Sequence, residues 1–384
     1  MSDRVRFIDD INKDPLLGDA LKADVMRWSE EGEPSGADFE RHVTDYHRTL
    51  RRRLSFILVC LVVIVLTTGF AVTYGPLDIG FVETYITIWH RITFNVVDSS
   101  LDFIVIDVRM PRIIAGILGG AGLAVCGVVM QCVLRNPLAD PYTTGVSSGA
   151  AFGATVAITS GLSLMNGGNT VIMAFAFSLI PTLAMIALSR FTSTSPTTMI
   201  MAGIGIMYIF NALTTVLMLW SNPEDLASVY QWQVGSLAKV SWDDIPYMAA
   251  LVIPGLIAVF LMSQKLNVMS IGDDCAKAMG INAPRMRVVF LALTGLLSAA
   301  VVSFTGIIGF VGLVTPHIVR IFIGADNRYL LPASAMFGAM LMIVADLLGR
   351  AVLSPTILPV GVMMAFIGGP TFLWLLMRRG NRVW

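Results

Sequence analysis

Long apolar runs separated by short polar stretches set the plan of this chain. A helix needs about 20 apolar residues to cross the hydrocarbon core of a bilayer. Ten segments qualify, at about 54–74, 112–134, 143–163, 170–189, 198–220, 245–263, 286–305, 307–323, 332–352 and 360–377. The pattern predicts an all-α fold, a polytopic membrane helical bundle of about ten transmembrane helices per subunit. The run from Ile113 to Leu134 is the most informative. It holds no charge, yet Arg109 and Arg112 stand before it and Arg135-Asn-Pro-Leu-Ala-Asp-Pro141 follows it. Gly116, Gly119, Gly120, Gly122, Ala124 and Gly127 lie inside it. Small residues let helix backbones approach closely, so this helix is expected to pack against others instead of facing lipid throughout. Two further stripes at i+4 spacing, Gly145-Gly149-Gly153-Ala157-Gly161 and Gly361-Ala365-Gly369, predict the same close packing.

Charge orients the bundle. Arg51-Arg52-Arg53 precedes the first run and Arg378, Arg379 and Arg382 follow the last. Positive charge beside a span marks its cytoplasmic end, so both termini are placed inside, which an even number of spans allows. The connections then alternate: Arg135, Arg190, Lys265, Lys277, Arg285, Arg287 and Arg328 fall inside, and Asp78, Glu83, Asp102, Asp107, Glu224, Asp225, Asp243 and Asp244 outside. Arg109, Arg112 and Arg350 break this trend by falling at outside ends. Headgroup anchoring is the simple reading, but charges against the trend more often answer to a specific partner.

Composition fits a membrane protein, with 55% hydrophobic and 14% charged residues against about 25% charged in ordinary soluble domains. Net charge is zero, which gives no basic field for nucleic acid. Residues 1–50 carry twelve Asp or Glu against seven Lys or Arg. They are expected to form a cytoplasmic acidic N-terminal extension, residues 1–53, before a membrane domain at 54–380, and to contain no cleavable signal peptide. Cys60, Cys126, Cys132 and Cys275 lack metal-ligand or disulfide spacing and read as reduced packing residues.

Active-site chemistry is missing. There is no embedded carboxylate pair, Walker-type loop or His-Glu-x-x-His, so no enzyme, cofactor or metal site is expected. His317 follows Thr315-Pro316, which reads as a helix start with Pro in its first turn. Asp346 is the acidic residue inside an apolar run, and its i+4 spacing to Arg350 favours an ion pair over a proton relay. An ion-coupled secondary transporter would need more buried acids or broken helices. An intramembrane enzyme built on His317 and Asp346 lacks a nucleophile or metal set. Between the sixth and seventh runs, Asp273 and Asp274 fall at a helix start and Gly280 fits its C-terminal cap. Val268, Ile271, Cys275, Ala278 and Met279 give that segment one apolar face, and its balanced charge suits a protein partner better than a membrane surface.

Four sets of motifs together resemble the permease family of ABC importers for iron-siderophore, haem and cobalamin complexes, the FecCD type. They are Arg109-x-Pro-Arg112 with Gln131, Asn136-Pro-Leu-Ala-Asp-Pro141 and Gly145-Val-Ser-x-Gly149-Ala; Gly272-Asp-Asp-x-Ala-x-x-Met-Gly280; Gly309-Phe-Val-Gly-Leu-Val-Thr-Pro316-His317-Ile-Val-Arg320; and Leu331-Pro-Ala-Ser334, Asp346-x-x-x-Arg350 and Leu358-Pro-Val-Gly361 to Gly369-Pro370-x-Phe372. The resemblance covers residues 54–380, in order.

It implies a homodimer in the cytoplasmic (inner) membrane, ten spans per subunit, with the pathway at the subunit interface. Two cytoplasmic ATPase subunits would grip a coupling loop at about 264–285 through Gly272, Asp273, Asp274, Ala276, Met279 and Gly280. An extracytoplasmic substrate-binding protein would dock on Arg109, Arg112 and Arg350. A cytoplasmic gate would form at Asn136 and Leu138 and at Thr194 and Ser195. ATP hydrolysis would belong to the partner. The chain departs from the family in having Asp at 273 and 274, where relatives usually have Glu, and in its acidic 1–50 segment.

Overall fold

The computed structural model describes residues 36–75, 79–93, 98–161, 168–189, 195–353 and 356–378. Contacts divide the chain into two units, Met1–Leu54 and Ser55–Trp384. The described part of the first unit is helical.

Among the described residues all regular structure is helical. In chain order the helices are α1 (Gly36–Thr73), α2 (Phe81–Ile92), α3 (Ser99–Val133), α4 (Val146–Thr159), α5 (Gly168–Leu188), α6 (Pro196–Leu219), α7 (Pro223–Gln233), α8 (Asp244–Leu261), α9 (Ser263–Ile271), α10 (Asp273–Ala278), α11 (Ala283–Thr305), α12 (Val311–Ile323), α13 (Asn327–Ala351) and α14 (Val360–Arg378). Each of the ten apolar runs coincides with one of them. Seven are long and apolar enough to cross a membrane, and α4, α12 and the described part of α14 are shorter apolar helices. The protein is a polytopic helical membrane protein.

Helix α3 is the centre of the bundle. Leu123, Val125, Cys126, Val128 and Val129 are all buried and belong to the main core. Its glycines explain how so many helices reach it. A Cβ on Gly120 would strike the backbone of Gly338 on α13, and one on Gly127 would strike the backbone of Gly312 on α12. The second approach has a further cause in the sequence. Pro316 lacks the N–H that would bond the Gly312 carbonyl four residues earlier. The Gly312 carbonyl presses against α3 at Gly127, where no side chain stands in the way. On α4, Gly149 and Gly153 meet the backbone of α5 at Phe177 and Met173 in the same way.

Two local expectations change. Pro316 was expected in the first turn of its helix, but α12 begins at Val311, so Pro316 and His317 lie in its interior. The coupling loop holds two helices in place of one. Gly272, at φ +150°, a backbone conformation that residues with side chains rarely adopt, separates α9 from α10. Gly280 does end α10 as expected: with φ +77° it lets its own N–H bond the Lys277 carbonyl and that of Ile281 bond the Ala276 carbonyl, a Schellman closure.

Candidate functional site

Helices α3 and α13 lie side by side, and charged residues tie them to their surroundings at both ends. At the α13 C-terminal end, Asp346 receives hydrogen bonds from Arg112, with Nε at 2.9 and 3.0 Å from the two carboxylate oxygens and Nη2 at 2.7 Å. Arg350, one turn on, makes a longer ion pair of 3.3 Å. The i+4 pair expected from spacing is therefore present but secondary. Arg112, on another helix, is the main partner. Spacing within one helix carried no sign of it.

The other arginines of this cluster hold α1. The last carbonyls of a helix have no partner within it and attract cations, and the last turn of α1 has no basic residue of its own. Arg109 Nη1 donates to the Val72 and Thr73 carbonyls at 2.7 and 2.6 Å. Arg350 Nη1 donates to those of Ala71 and Tyr74, both at 2.8 Å. Gly75 leaves space for this, since a Cβ there would lie 2.8 Å from Arg109 Nη2. Arg109, Arg112 and Arg350 are 5%, 6% and 3% exposed. The structure thus brings the three predicted docking residues together, but buries them in the subunit. Arg112 and Arg350 share the Asp346 carboxylate, and among the described residues Arg350 Nη2 has no hydrogen-bond partner.

At the opposite end of α3 the chain turns through Arg135, whose φ of +44° is rare for a residue with a side chain. Its guanidinium pairs with Asp273 at the start of α10. Arg287, near the start of α11 and only 1% exposed, donates through Nη2 to the same carboxylate at 2.8 Å and through Nε to the Val133 carbonyl at 3.3 Å. Asn267 of α9 reaches α13: its Nδ2 donates to Asp326 Oδ1 at 2.9 Å and its Oδ1 accepts from the Asn327 N–H at 2.8 Å. Asp326 is the N-cap of α13 and also accepts from Arg328. Burial alone would raise its carboxyl, but the hydrogen bonds from Arg328 and Asn267 outweigh that and hold it at about 2. Sequence reading missed Arg287 and Asn267 as linking residues, because their partners are remote in the chain.

The coupling-loop residues divide by exposure. Ala276 is buried, whereas Met279 and Ile271 are 63% and 66% exposed, and Cys275 is the exposed cysteine among the four. The apolar face read from the sequence is therefore largely uncovered in the subunit.

In the predicted gate, Asn136 Oδ1 accepts from the Leu138 N–H at 2.9 Å, and Leu138 is exposed. Ser195 caps α6 by accepting from Thr198. Thr194 lies outside the described residues. Near these residues, Leu134 and Ala139 belong to one buried cluster with Met199 of α6 and Met185 of α5. His317 Nε2 donates to the Pro137 carbonyl at 2.9 Å, so α12 holds this loop, and Arg320 Nη1 donates to Gln131 Oε1 in the last turn of α3 at 2.5 Å. Asp140 caps the short 3-10 helix Pro141–Thr144 by accepting from the Tyr142 N–H at 2.7 Å. Burial pushes its carboxyl up to about 6, although that hydrogen bond works to lower it. Among the described residues no cluster of His, Cys, Asp or Glu suits a metal ion.

A cleft of about 360 Å³ lies beside these elements, lined among others by Ser147, Ser148, Asn211, Thr214, Thr215 and Gln233. It is polar and carries no charge. No periodic pattern marks it, since its lining comes from separate helices. A larger cleft, of about 590 Å³, lies between α2 and the start of α3. Its lining residues belong to neither charged junction and to neither gate segment.

Comparison with known proteins gives consistent results. Residues 57–378 match the FecCD transport family. The chain is 35% identical to the hemin transport system permease protein of Yersinia pestis, covering 86% of this chain and 96% of that one. It is 38% identical to the cobalamin import system permease protein of Halobacterium salinarum, over 74% of this chain and 76% of the relative. A solved structure described as a metal-chelate type ABC transporter in an inward-facing conformation matches with a TM-score of 0.74 and 30% identity, covering 84% of this chain and 99% of that one.

Proposed function

The chain belongs to the FecCD transport family, and from that we propose that it is the permease subunit of a binding-protein-dependent importer for an iron chelate, haem or a cobalamin. It is an ABC-transporter permease and a multi-pass protein of the cytoplasmic membrane, as its relatives and its apolar helices show. In the proposed complex two permease subunits pair as a homodimer, with the pathway between them. Two ATPase subunits grip the loop at 264–285, and the cell interior lies on that side. The exposed Ile271, Cys275 and Met279 beside Asp273 and Asp274 are the observation that carries this reading. Apolar side chains left uncovered on a short polar loop mark a surface made for a protein.

A binding protein docks at the other end, over Arg109, Arg112 and Arg350. Arg112 and Arg350 share the single carboxylate of Asp346, and such a site suits further carboxylates. Because these groups are buried in the single subunit, docking would exchange the α1 carbonyls for acidic side chains of the partner. ATP binding then closes the ATPase pair, moves the coupling loops and tilts the spans around Asn136, Leu138, Thr194 and Ser195 to switch access. The uncharged cleft beside α6 fits a pathway that holds its cargo weakly. The permease itself does no covalent chemistry.

Uptake of radiolabelled ferric siderophore, haem and cobalamin by cells lacking the protein tests this. One of the three is expected to be lost on deletion and restored by the wild-type chain. Unchanged uptake of all three would overturn the proposed cargo class.

A further inference from the structure

We propose that Asp273 and Asn267 are the positioning residues through which the coupling loop drives α3 and α13 as one rigid unit. This rests on the proposed ATPase engagement of that loop. The loop has two separate attachments, and they reach the two members of the same helix pair. Asp273 is clamped by Arg135, which follows α3, and by Arg287, which also holds the Val133 carbonyl at the end of α3. Asn267 uses both ends of its amide on the start of α13, one on the Asp326 cap and one on the Asn327 N–H. A loop attached to one helix only would tilt that helix against its neighbour. Two attachments move both together.

The rest of the pair is built to accept such a push. Its middle is locked where Gly120 and Gly338 bring the two backbones into contact. Its far end is locked by the buried Arg112–Asp346 pair, with Arg350 beside it. From Met110 to Val133 the helix has 24 residues, or about 36 Å at 1.5 Å per residue. A displacement at the coupling loop therefore reaches Arg112 without an intervening joint in the Met110–Val133 segment, and Arg109 ends the π-helical stretch Phe103–Arg109 that precedes it.

The experiment uses the complete importer, permease with its ATPase and binding protein, in proteoliposomes. In assembled complexes, Asp273→Ala and Asn267→Ala should each lower uptake per ATP hydrolysed about tenfold. The double variant should be no worse than either single one, because losing either arm already breaks the unit. Normal uptake per ATP in both single variants, or effects that multiply in the double one, would overturn the proposal.

Spin labels at Val108 on α3 and Leu348 on α13 give a second test that leaves the junction intact. With Cys275 replaced by Ser, their separation should change by less than about 2 Å between nucleotide-free and ATP-bound states. A larger change would show that the pair is not rigid. If the wild-type complex itself shows no ATP-driven uptake, the proposed function fails; if it transports and the variants do too, the two-arm transmission fails.

Discussion

Arg112 and Asp346, 234 positions apart in the chain, meet side by side in the interior through three hydrogen bonds of 2.7–3.0 Å. Each group would be costly to bury alone, and the geometry satisfies both carboxylate oxygens at once. The pair joins two central helices at the point where the sequence had suggested only a pair within one of them.

Removing one partner should be worse than the pair's modest net value suggests, and the two removals should differ. Asp346→Ala takes the shared carboxylate from buried Arg112 and Arg350, whereas Arg112→Ala leaves Asp346 with Arg350. A loss of about 3–5 kcal/mol is expected for Asp346→Ala, and a smaller one for Arg112→Ala. Thermal unfolding of the purified protein in detergent measures both. Equal losses would contradict the shared role of Asp346.

Glycine positions divide by what surrounds them. Gly127→Ala places a methyl group in the Gly312 backbone and should destabilise by roughly 1–3 kcal/mol or more. Gly205→Ala, with nothing within 4 Å, should be neutral. Expression level and detergent stability of the two variants decide this.

Asp140 should make the protein favour acid. Its folded carboxyl lies at about 6 against an ordinary 3.8, so the neutral form is preferred on folding. That benefit is present below the ordinary value and disappears as pH rises through about 6. Asp140→Asn keeps an oxygen for the Tyr142 N–H and removes the charge. It should therefore raise the unfolding midpoint at pH 7.5, by roughly 2 kcal/mol of stability, and make little difference at pH 4.

Cys275 reports on the coupling loop without any substitution. It is exposed while Cys60, Cys126 and Cys132 are buried. A maleimide should label it alone in the isolated permease, and binding of the ATPase should slow that labelling at least about tenfold. Undiminished labelling in the complex would remove the loop from the ATPase interface.

The helices were legible in the sequence because long apolar runs bounded by Arg, Asn-Pro and Gly leave little choice of element. Every run, from 54–74 to 360–377, lies on a helix, and the Gly280 cap followed from residue type alone. The charged junctions were half legible. Arg109, Arg112 and Arg350 stood out because they defied the charge trend, but their contacts with α1 carbonyls and Asp346 are tertiary and leave no periodic mark. Arg287 and Asn267 were hidden for the same reason. Pro316 misled because a proline so often opens a helix; here a glycine-lined neighbour leaves room for the Gly312 carbonyl four residues before it. Gly272 split the coupling loop into two helices, which its apolar period alone did not show.

Import by the reconstituted complex, followed with a labelled chelate in proteoliposomes, is the decisive measurement. Accumulation should require ATP and the ATPase subunit, and should persist when ionophores collapse proton and sodium gradients. Uptake that proceeds without ATP and stops when those gradients are collapsed would make the protein an ion-coupled transporter and contradict its assignment as an ATP-driven permease.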